Sequence, residues 1–323
     1  MSAPPPEILF ITATRIGDVV LSSGLVRHLV QAHPGARLTI AGGAAPLSLF
    51  ADTPGLARLL PMIKQRRGGH WLDLWRQTRG VRWDLVVDLR GSLSAYALRA
   101  RQRRVMRKSP AGQHKVQAYA EVLGLGRAPP APGFFVSHER AARARTRLPI
   151  GRPVLALAPA ANWVGKTWPA DRFAALARDL LDGPLAGAQL LLLGGREDAA
   201  TVDQVAAALP GVDIFPVVGE PDLLDIYALL RGVRLFAGND SGMMHLAAAA
   251  GVPTLGLFGP SDDRLYAPWG ETAAVVRATP FATFLQSDPG LNQSAPHMDS
   301  LSLAQVRQAA FDLLARTGSR QAS

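Results

Sequence analysis

The segment Ile8-Leu-Phe-Ile-Thr-Ala-Thr-Arg-Ile-Gly-Asp18 joins a short apolar run to a polar turn, and a helical pattern follows over about residues 19–32. A buried strand, a turn and a helix in this order form the repeating unit of a parallel α/β sheet. Gly17 allows a tight turn, and Asp18 stands at the mouth of the helix. Asp18 is therefore either a cap that satisfies open helix N–H groups or a carboxylate with a chemical role.

The same alternation continues along the chain and predicts two Rossmann-like lobes. In the first lobe we predict strands at residues 8–12, 37–40 and 85–88 and a helix near residues 92–103. In the second we predict strands at residues 154–158, 189–193, 214–218, 234–237 and 254–258, with helices between them. A chain of 323 residues is long enough for two such domains.

Irregular segments rich in proline set the predicted domain boundaries. We expect a first domain over residues 1–150 and a second over residues 151–298, joined by the linker at residues 149–153. The apolar spacing over residues 303–314 predicts a terminal helix. This last segment, residues 299–323, could cross back to the first domain.

The net charge of +10 is unevenly distributed along the sequence. Residues 58–108 hold fourteen Lys and Arg against three acids, whereas the remainder of the chain is nearly neutral. This excess predicts an anionic partner, such as nucleic acid, a phospholipid surface or a phosphorylated glycolipid. A solvated basic face without a partner is the alternative.

Cysteine is absent, which excludes disulfides, thiolate metal sites and a cysteine nucleophile. The beginning of the sequence has no basic start and no apolar core typical of a signal peptide, and no apolar run approaches the roughly 20 residues of a membrane span. We therefore expect a cytoplasmic protein.

Three polar loops of the second lobe could hold a nucleotide. Pro159-Ala-Ala-Asn-Trp-Val-Gly-Lys-Thr-Trp-Pro169 leads from a strand to a helix, and its Lys166 could neutralise a diphosphate as charge develops on it. Gly238-Asn-Asp-Ser-Gly-Met-Met-His-Leu246 places Ser241 and Gly242 at a helix start, where backbone N–H groups bind phosphate. Glu197 or Asp198, just past another strand, could bind ribose hydroxyls.

Each of these loop residues also has a structural interpretation. Lys166 could be a solvated surface lysine, Asp240 a helix cap and His245 a half-buried histidine with an internal partner. What favours a site is the combination, because loops at the carboxyl ends of parallel strands meet in one crevice.

In the order of these motifs the sequence resembles glycosyltransferase family 9, the ADP-heptose:lipopolysaccharide heptosyltransferases, over nearly its full length. The resemblance is carried by four blocks of residues. They are Arg15-Ile-Gly-Asp-Val-Val-Leu21, Asp84-Leu-Val-Val-Asp-Leu-Arg-Gly-Ser-Leu93, residues 159–168, and residues 238–246 leading to Phe258-Gly-Pro260.

The resemblance implies a GT-B fold, with two doubly wound parallel-sheet domains facing a central cleft. It implies an inverting, metal-independent transfer of a sugar from an ADP-linked donor, most simply heptose, to a lipopolysaccharide inner-core acceptor, with no cofactor besides the nucleotide sugar. Asp18 matches the proposed general base. Lys166, Asp240, Ser241, Gly242 and His245 match the donor-phosphate site, and Glu197 matches a ribose-binding acid.

No family motif matches this sequence closely enough to assign the residues of the acceptor site. We assign it to basic residues of the first lobe, namely Arg90, Arg103, Arg104, Arg107 and Lys108, and expect an anionic glycolipid there, with peripheral contact to the inner membrane surface. The sequence departs from the family at Ala160, where Gly is frequent, and at His297-Met298, where a Cys-Met pair is frequent.

One alternative is a GT-B glycosyltransferase that uses another donor sugar or another acceptor. Two other classes of function also compete with this interpretation. A nucleotide-sugar epimerase of the same two-lobed shape would need no acceptor lobe, and the basic stretch disfavours it. A nucleic-acid-binding protein would use that stretch electrostatically, but the Lys166 loop and the turn at residues 239–242 would then have no purpose.

Overall fold

The computed structural model describes residues 4–107, 112–220, 222–292 and 295–318. The chain divides into two compact units, one formed by residues up to His138 together with Asp222–Leu224, the other by Glu139–Pro221 and Asp225–Ser323. The division falls before the predicted boundary at residue 150. Part of the reason is that the helix over residues 138–147 is tied to the second unit, because Arg140 pairs with Asp225 and Arg147 with Glu220.

The first unit is a five-stranded parallel sheet with helices. Its elements are β1 (Glu7–Ile11), α1 (Ile16–Ala32), β2 (Arg37–Gly42), β3 (Leu56–Pro61), α2 (Gly69–Thr78), β4 (Trp83–Asp88), β5 (Ala100–Val105) and α3 (Lys115–Ala120). The strand order is β3-β2-β1-β4-β5, with every pairing parallel. The central strand β1 is apolar and buried, as its Ile-Leu-Phe-Ile sequence predicts.

The predicted helix over residues 92–103 is wrong. A short 3₁₀ turn covers Leu93–Ala97, and the chain then forms edge strand β5, which pairs with β4 from Trp83↔Ala100 to Asp88↔Val105. The sequence Ala-Arg-Gln-Arg-Arg-Val has too few apolar residues to distinguish the 3.6-residue period of a helix from the two-residue period of a strand. Pairing with the exposed edge of β4 provides the backbone hydrogen bonds that determine the outcome.

The second unit contains a six-stranded parallel sheet. Its elements are α4 (His138–Arg147), β6 (Val154–Ala158), α5 (Ala170–Leu181), β7 (Gln189–Gly194), α6 (Ala199–Ala207), β8 (Ile214–Val218), α7 (Leu223–Leu230), β9 (Leu235–Asn239), α8 (Gly242–Ala249), β10 (Thr254–Leu257), α9 (Asp263–Tyr266), β11 (Ala273–Val276), α10 (Phe281–Ser287) and α11 (Leu303–Gly318). The strand order is β11-β10-β9-β6-β7-β8.

The terminal helix α11 packs on the core of this second unit. Its apolar side chains Val306, Ala310 and Leu313 are buried in one cluster with residues of β6, β7 and α5. The expectation that residues 299–323 cross back to the first domain therefore does not describe α11, whose apolar face is occupied within the second unit. The predicted two-domain α/β architecture is otherwise confirmed.

Candidate functional site

In the second unit, the two central strands β6 and β9 mark the point where the strand order reverses. From β6 the chain proceeds to β7 and β8 on one side, and from β9 to β10 and β11 on the other. Loops that leave adjacent strands in opposite directions open a crevice at the carboxyl edge of the sheet, where such folds bind ligands. The loop that contains Lys166 follows β6, and Asp240 and Ser241 follow β9.

Lys166 and Asp240, 74 positions apart in sequence, form a short ion pair at this edge. The Lys166 Nζ atom donates to Asp240 Oδ2 at 2.6 Å. The lysine side chain is 21% exposed and the aspartate 7%, so the pair lies under the surface with the cation on the outer side. The Nε2 atom of the buried His245 is 3.9 Å from Asp240 Oδ1. A lysine in this setting is positioned rather than freely solvated.

The loop after β6 is fixed to β9 by one buried amide, that of Asn239. Its Oδ1 atom accepts from the Trp168 N–H at 3.0 Å, and its Nδ2 group donates to the Pro159 carbonyl at 2.8 Å. Asn239 is completely buried, so both bonds are shielded from water. These two contacts hold both ends of the loop that carries Lys166.

The middle of the same loop packs against the segment around His297. A Cβ atom on Gly165 would lie 2.3 Å from the Trp163 ring and 2.8 Å from the His297 ring, so only glycine fits there. The two rings meet edge to face at 6.2 Å between centroids. Further along, the Trp168 indole N–H donates to the Leu301 carbonyl at 2.8 Å. The Lys166 loop is thus supported on several sides before any ligand binds.

Ser241 is the residue that precedes helix α8, and its hydroxyl has no hydrogen-bond partner among the described residues. The Oγ atom is buried, yet it does not cap the helix. Buried hydroxyls nearly always have a partner, and the first N–H groups of a helix have none within the helix. Ser241 and Gly242 therefore present unused donors beside Lys166, which is an arrangement suited to phosphate oxygens.

The two acids after β7 have different environments. The Asp198 carboxylate accepts from the Gly195 N–H at 2.8 Å, and burial raises its pKa, an effect that this hydrogen bond opposes and the neighbouring Glu197 carboxylate reinforces. Glu197 itself is exposed. Since Asp198 caps its own turn, Glu197 is the acid that remains available for a ribose hydroxyl.

In the first unit, the strand order also reverses between two central strands, here β1 and β4. Asp18, in the first turn of α1 after β1, accepts a hydrogen bond at 3.0 Å from the Tyr119 hydroxyl of α3. The helix has no side-chain cap hydrogen bond at Arg15. The Asp18 hydrogen bond therefore points to the Tyr119 hydroxyl and not to a helix-capping role. Tyr119, which the sequence did not single out, orients the Asp18 carboxylate.

On the neighbouring strand, Asp88 organises the loop that contains Arg90. The fully buried Asp88 carboxylate accepts from the N–H groups of Arg90 and Ser92, both at 2.8 Å, and from the Ser92 hydroxyl at 2.5 Å. The Arg90 guanidinium lies 4.9 Å from the centre of the Trp71 ring. Arg90 is therefore held at the surface by a stacking contact.

The four predicted acceptor residues on and after β5 have different roles. The Arg103 guanidinium donates to three main-chain carbonyls, those of Ala95, Leu98 and Ala100, and so ties the 3₁₀ turn to β5. Arg104 and Arg107 are exposed and line a cavity of about 400 Å³ together with Arg103, Tyr96 and Gln113. Lys108 lies outside the described residues.

Sequence reasoning also missed the loop after β10. The Arg277 guanidinium donates to the carbonyls of Gly259 and Ser261, both at 2.7 Å, and pairs with Asp263 at 3.1 Å. Burial lowers the pKa of Arg277, and the neighbouring acids oppose this effect. The sequence offered only the Phe-Gly-Pro block at residues 258–260, which does not indicate that Arg277 binds the main chain of this loop.

Two further properties concern the described residues as a whole. No three of their His, Asp or Glu side chains form a group that could hold a metal ion. None of their helices combines the length and the apolar character needed to cross a bilayer.

Replacing Asn239 should loosen the Lys166 loop. We expect Asn239→Ala to lower the free energy of unfolding by about 2 to 6 kcal/mol, because the Trp168 N–H and the Pro159 carbonyl each lose their buried partner. Chemical denaturation measures this change. Asn162→Ala, at an exposed position of the same loop, is the control and should be nearly neutral. Equal stability of both variants would contradict the proposed support.

Comparison with known proteins agrees with this arrangement. The sequence pattern of Glycosyltransferase family 9 (heptosyltransferase) matches residues 94–284. Lipopolysaccharide heptosyltransferase 1 of Pseudomonas aeruginosa is 26% identical over 300 residues, covering 82% of each chain. Lipopolysaccharide heptosyltransferase 2 of Salmonella typhimurium is 26% identical over 310 residues, covering 84% of this chain and 88% of the relative.

A solved structure has the same fold. The Escherichia coli ADP-heptose lipopolysaccharide heptosyltransferase II superposes with a TM-score of 0.77 at 23% identity, covering 97% of this chain and 99% of that one. This similarity confirms the GT-B fold class, and the family match extends over more than half of the chain. The chain belongs to glycosyltransferase family 9 and is a glycosyltransferase.

Proposed function

We propose that this enzyme transfers heptose from ADP-heptose to a lipopolysaccharide inner-core acceptor, with inversion at the anomeric carbon and without a metal ion. The main support is the Lys166–Asp240 pair beside the unpartnered Ser241 hydroxyl, at the strand reversal of the second unit. These groups suit a diphosphate. The choice of heptose and of lipopolysaccharide rests on the names of the relatives.

In the proposed donor site, Lys166 neutralises the diphosphate, and Ser241 with the N–H groups at Gly242 donates hydrogen bonds to it. A carboxylate repels a phosphate, so Asp240 is proposed to position Lys166 and His245 around the donor. Glu197 accepts from the ribose hydroxyls. Positive charge and oriented donors stabilise a departing diphosphate, which is the task that other enzymes assign to a divalent cation.

In the proposed reaction, an acceptor hydroxyl attacks the anomeric carbon from the face opposite the diphosphate. The new bond joins the acceptor oxygen to this carbon, and the bond from the carbon to the diphosphate oxygen breaks, releasing ADP. Asp18 takes the hydroxyl proton as general base. The Tyr119 hydroxyl, which donates to one oxygen of this carboxylate, leaves the other oxygen to accept the proton.

The acceptor is proposed to be an anionic glycolipid recognised by Arg90, Arg103, Arg104 and Arg107. Arg104 and Arg107 line the cavity of about 400 Å³ beside β5 and have no ion pair among the described residues. Arginine forms planar paired hydrogen bonds with phosphate and carboxylate. Arg103 lines the same cavity, and with three of its five N–H groups bonded to main-chain carbonyls it keeps two for an acceptor, so it stays in the proposed site.

Removing the donor-site cation should weaken nucleotide binding. We expect Lys166→Ala to raise the dissociation constant of ADP-heptose by roughly 10- to 150-fold, since hydrogen bonds to charged groups contribute about 1.5 to 3 kcal/mol. Titration calorimetry on the folded variant measures this. Lys64→Ala, at an exposed lysine of the first unit, is the control. Unchanged affinity in Lys166→Ala would remove Lys166 from the donor site.

Replacing the proposed base should stop the chemistry and spare binding. We expect Asp18→Asn to lose about 10²- to 10⁴-fold in kcat, because the amide accepts a hydrogen bond from Tyr119 but takes no proton. Donor affinity and melting temperature should stay near the wild-type values. Asp171→Asn, in the first turn of α5, is the matched control. Near-normal turnover with a lowered melting temperature would reduce Asp18 to a structural residue.

Neutralising the cavity arginines should affect the acceptor alone. We expect Arg104→Gln with Arg107→Gln to raise the acceptor KM while donor affinity is unchanged, and added salt to reproduce the effect in the wild type by screening. Steady-state kinetics with varied acceptor measures this. The control is Arg101→Gln, on the same strand β5 as Arg104, which breaks an exposed pair with Asp84 of β4. An acceptor KM that changes neither with the substitutions nor with salt would contradict the assignment of Arg104 and Arg107 to the acceptor site.

A further inference from the structure

Large apolar side chains are exposed together on the first unit. Seven are exposed among the described residues, and four of them fall between residues 63 and 96. They are Ile63 (65% exposed), Leu72 (47%), Leu93 (86%) and Tyr96 (63%). A single exposed apolar residue needs no explanation, but a group of them usually marks an interaction surface.

These four residues lie on segments that pack directly on one another. The Trp75 indole of α2 donates to the Ala97 carbonyl of the 3₁₀ turn at 3.2 Å. On the other side of α2, because Asp73 is two residues from Trp75 and so about 200° around the helix, the Gln65 side chain donates to Asp73 at 2.8 Å and joins the Ile63 segment to the helix. Helix α2 therefore lies between the two other segments.

Within each segment the apolar side chains point outward. Leu93 and Tyr96 are three residues apart in a 3₁₀ turn, where such residues share a face, and the intervening Ala95 is buried. In α2, Leu74 faces the core, whereas Leu72 shares the exposed face with Arg76, four residues on. The result is an apolar–basic surface, which we define as residues 62–79 and 90–96.

The surface is strongly basic around its apolar side chains. Lys64, Arg66 and Arg67 follow Ile63 directly and are all exposed, and Arg90 lies over Trp71 beside Leu93. Asp73 is the only acid of the sequence between residues 53 and 83. Exposed basic residues that surround aromatic and aliphatic side chains are the combination that binds the interface of an anionic bilayer.

We propose that the apolar–basic surface docks on an anionic lipid bilayer, with Leu93, Tyr96, Leu72 and Ile63 entering the headgroup region and the surrounding Lys and Arg contacting lipid phosphates. A second copy of this chain is a poor occupant, because two such basic surfaces repel each other. Nucleic acid would satisfy the charges but would leave the aliphatic side chains exposed. The proposal does not depend on the identity of the donor or the acceptor, and its consequence is that the protein works at a membrane surface.

The test is cosedimentation of the full chain with phosphatidylcholine vesicles, with and without phosphatidylglycerol, in the absence of lipopolysaccharide. The wild type should bind only the anionic vesicles, and added salt should weaken binding. Leu93→Ser with Tyr96→Ser should weaken binding by about tenfold or more, because the apolar contacts are lost. Arg66→Gln with Arg67→Gln should weaken it as well.

The matched control is Ile150→Ser with Leu285→Ser, at exposed positions of the second unit (98% and 40% exposed), which should bind vesicles like the wild type. Absence of binding to anionic vesicles would overturn the proposal, as would an equal loss in the control. Wild-type binding by Leu93→Ser with Tyr96→Ser, together with competition by duplex DNA, would instead assign the surface to nucleic acid. None of these outcomes depends on glycosyl transfer, so the proposed function stands or fails separately.

Discussion

The proposed donor site depends on one buried amide at the junction of β6 and β9. Asn239 holds the Pro159 carbonyl and the Trp168 N–H, which lie at the two ends of the loop that carries Lys166. Both bonds are buried, so the loss of either would leave an unsatisfied polar group. Any other position of the loop would therefore lower the stability of the fold. Asp240 and Ser241 follow Asn239 directly, so the same buried amide also fixes the backbone beside the Lys166–Asp240 pair.

The two units share one topological feature, and different side chains follow it in each. In each sheet the strand order reverses between two central strands, β1 and β4 in the first and β6 and β9 in the second. The first unit places a carboxylate at its reversal point, Asp18 oriented by Tyr119. The second places a cation and hydrogen-bond donors there. In the proposed reaction, the first of these points supplies the base and the second the diphosphate site.

The sequence predicts those features that depend on local pattern and misses those that depend on distant packing. The strand, loop and helix at residues 8–32 and the loops around Lys166 and Ser241 could be predicted, because apolar runs and helix starts are local signals. Strand β5 could not be predicted, because its sequence is polar and its strand conformation depends on pairing with β4. The structural role of Arg103 and the support of Asp18 by Tyr119, 101 positions away, follow from tertiary contacts that no spacing reveals.

The central claim is that the chain moves heptose from ADP-heptose to an acceptor, with inversion and without metal. The direct measurement is incubation of the wild type with ADP-heptose and heptose-free lipopolysaccharide in excess chelator, followed by mass spectrometry and determination of the anomeric configuration of the product. We expect an acceptor heavier by one heptose, joined with the configuration opposite to that of the donor, and equal release of ADP. An epimerised nucleotide sugar with unchanged acceptor, retention of configuration, or turnover that returns only when metal is added would contradict it.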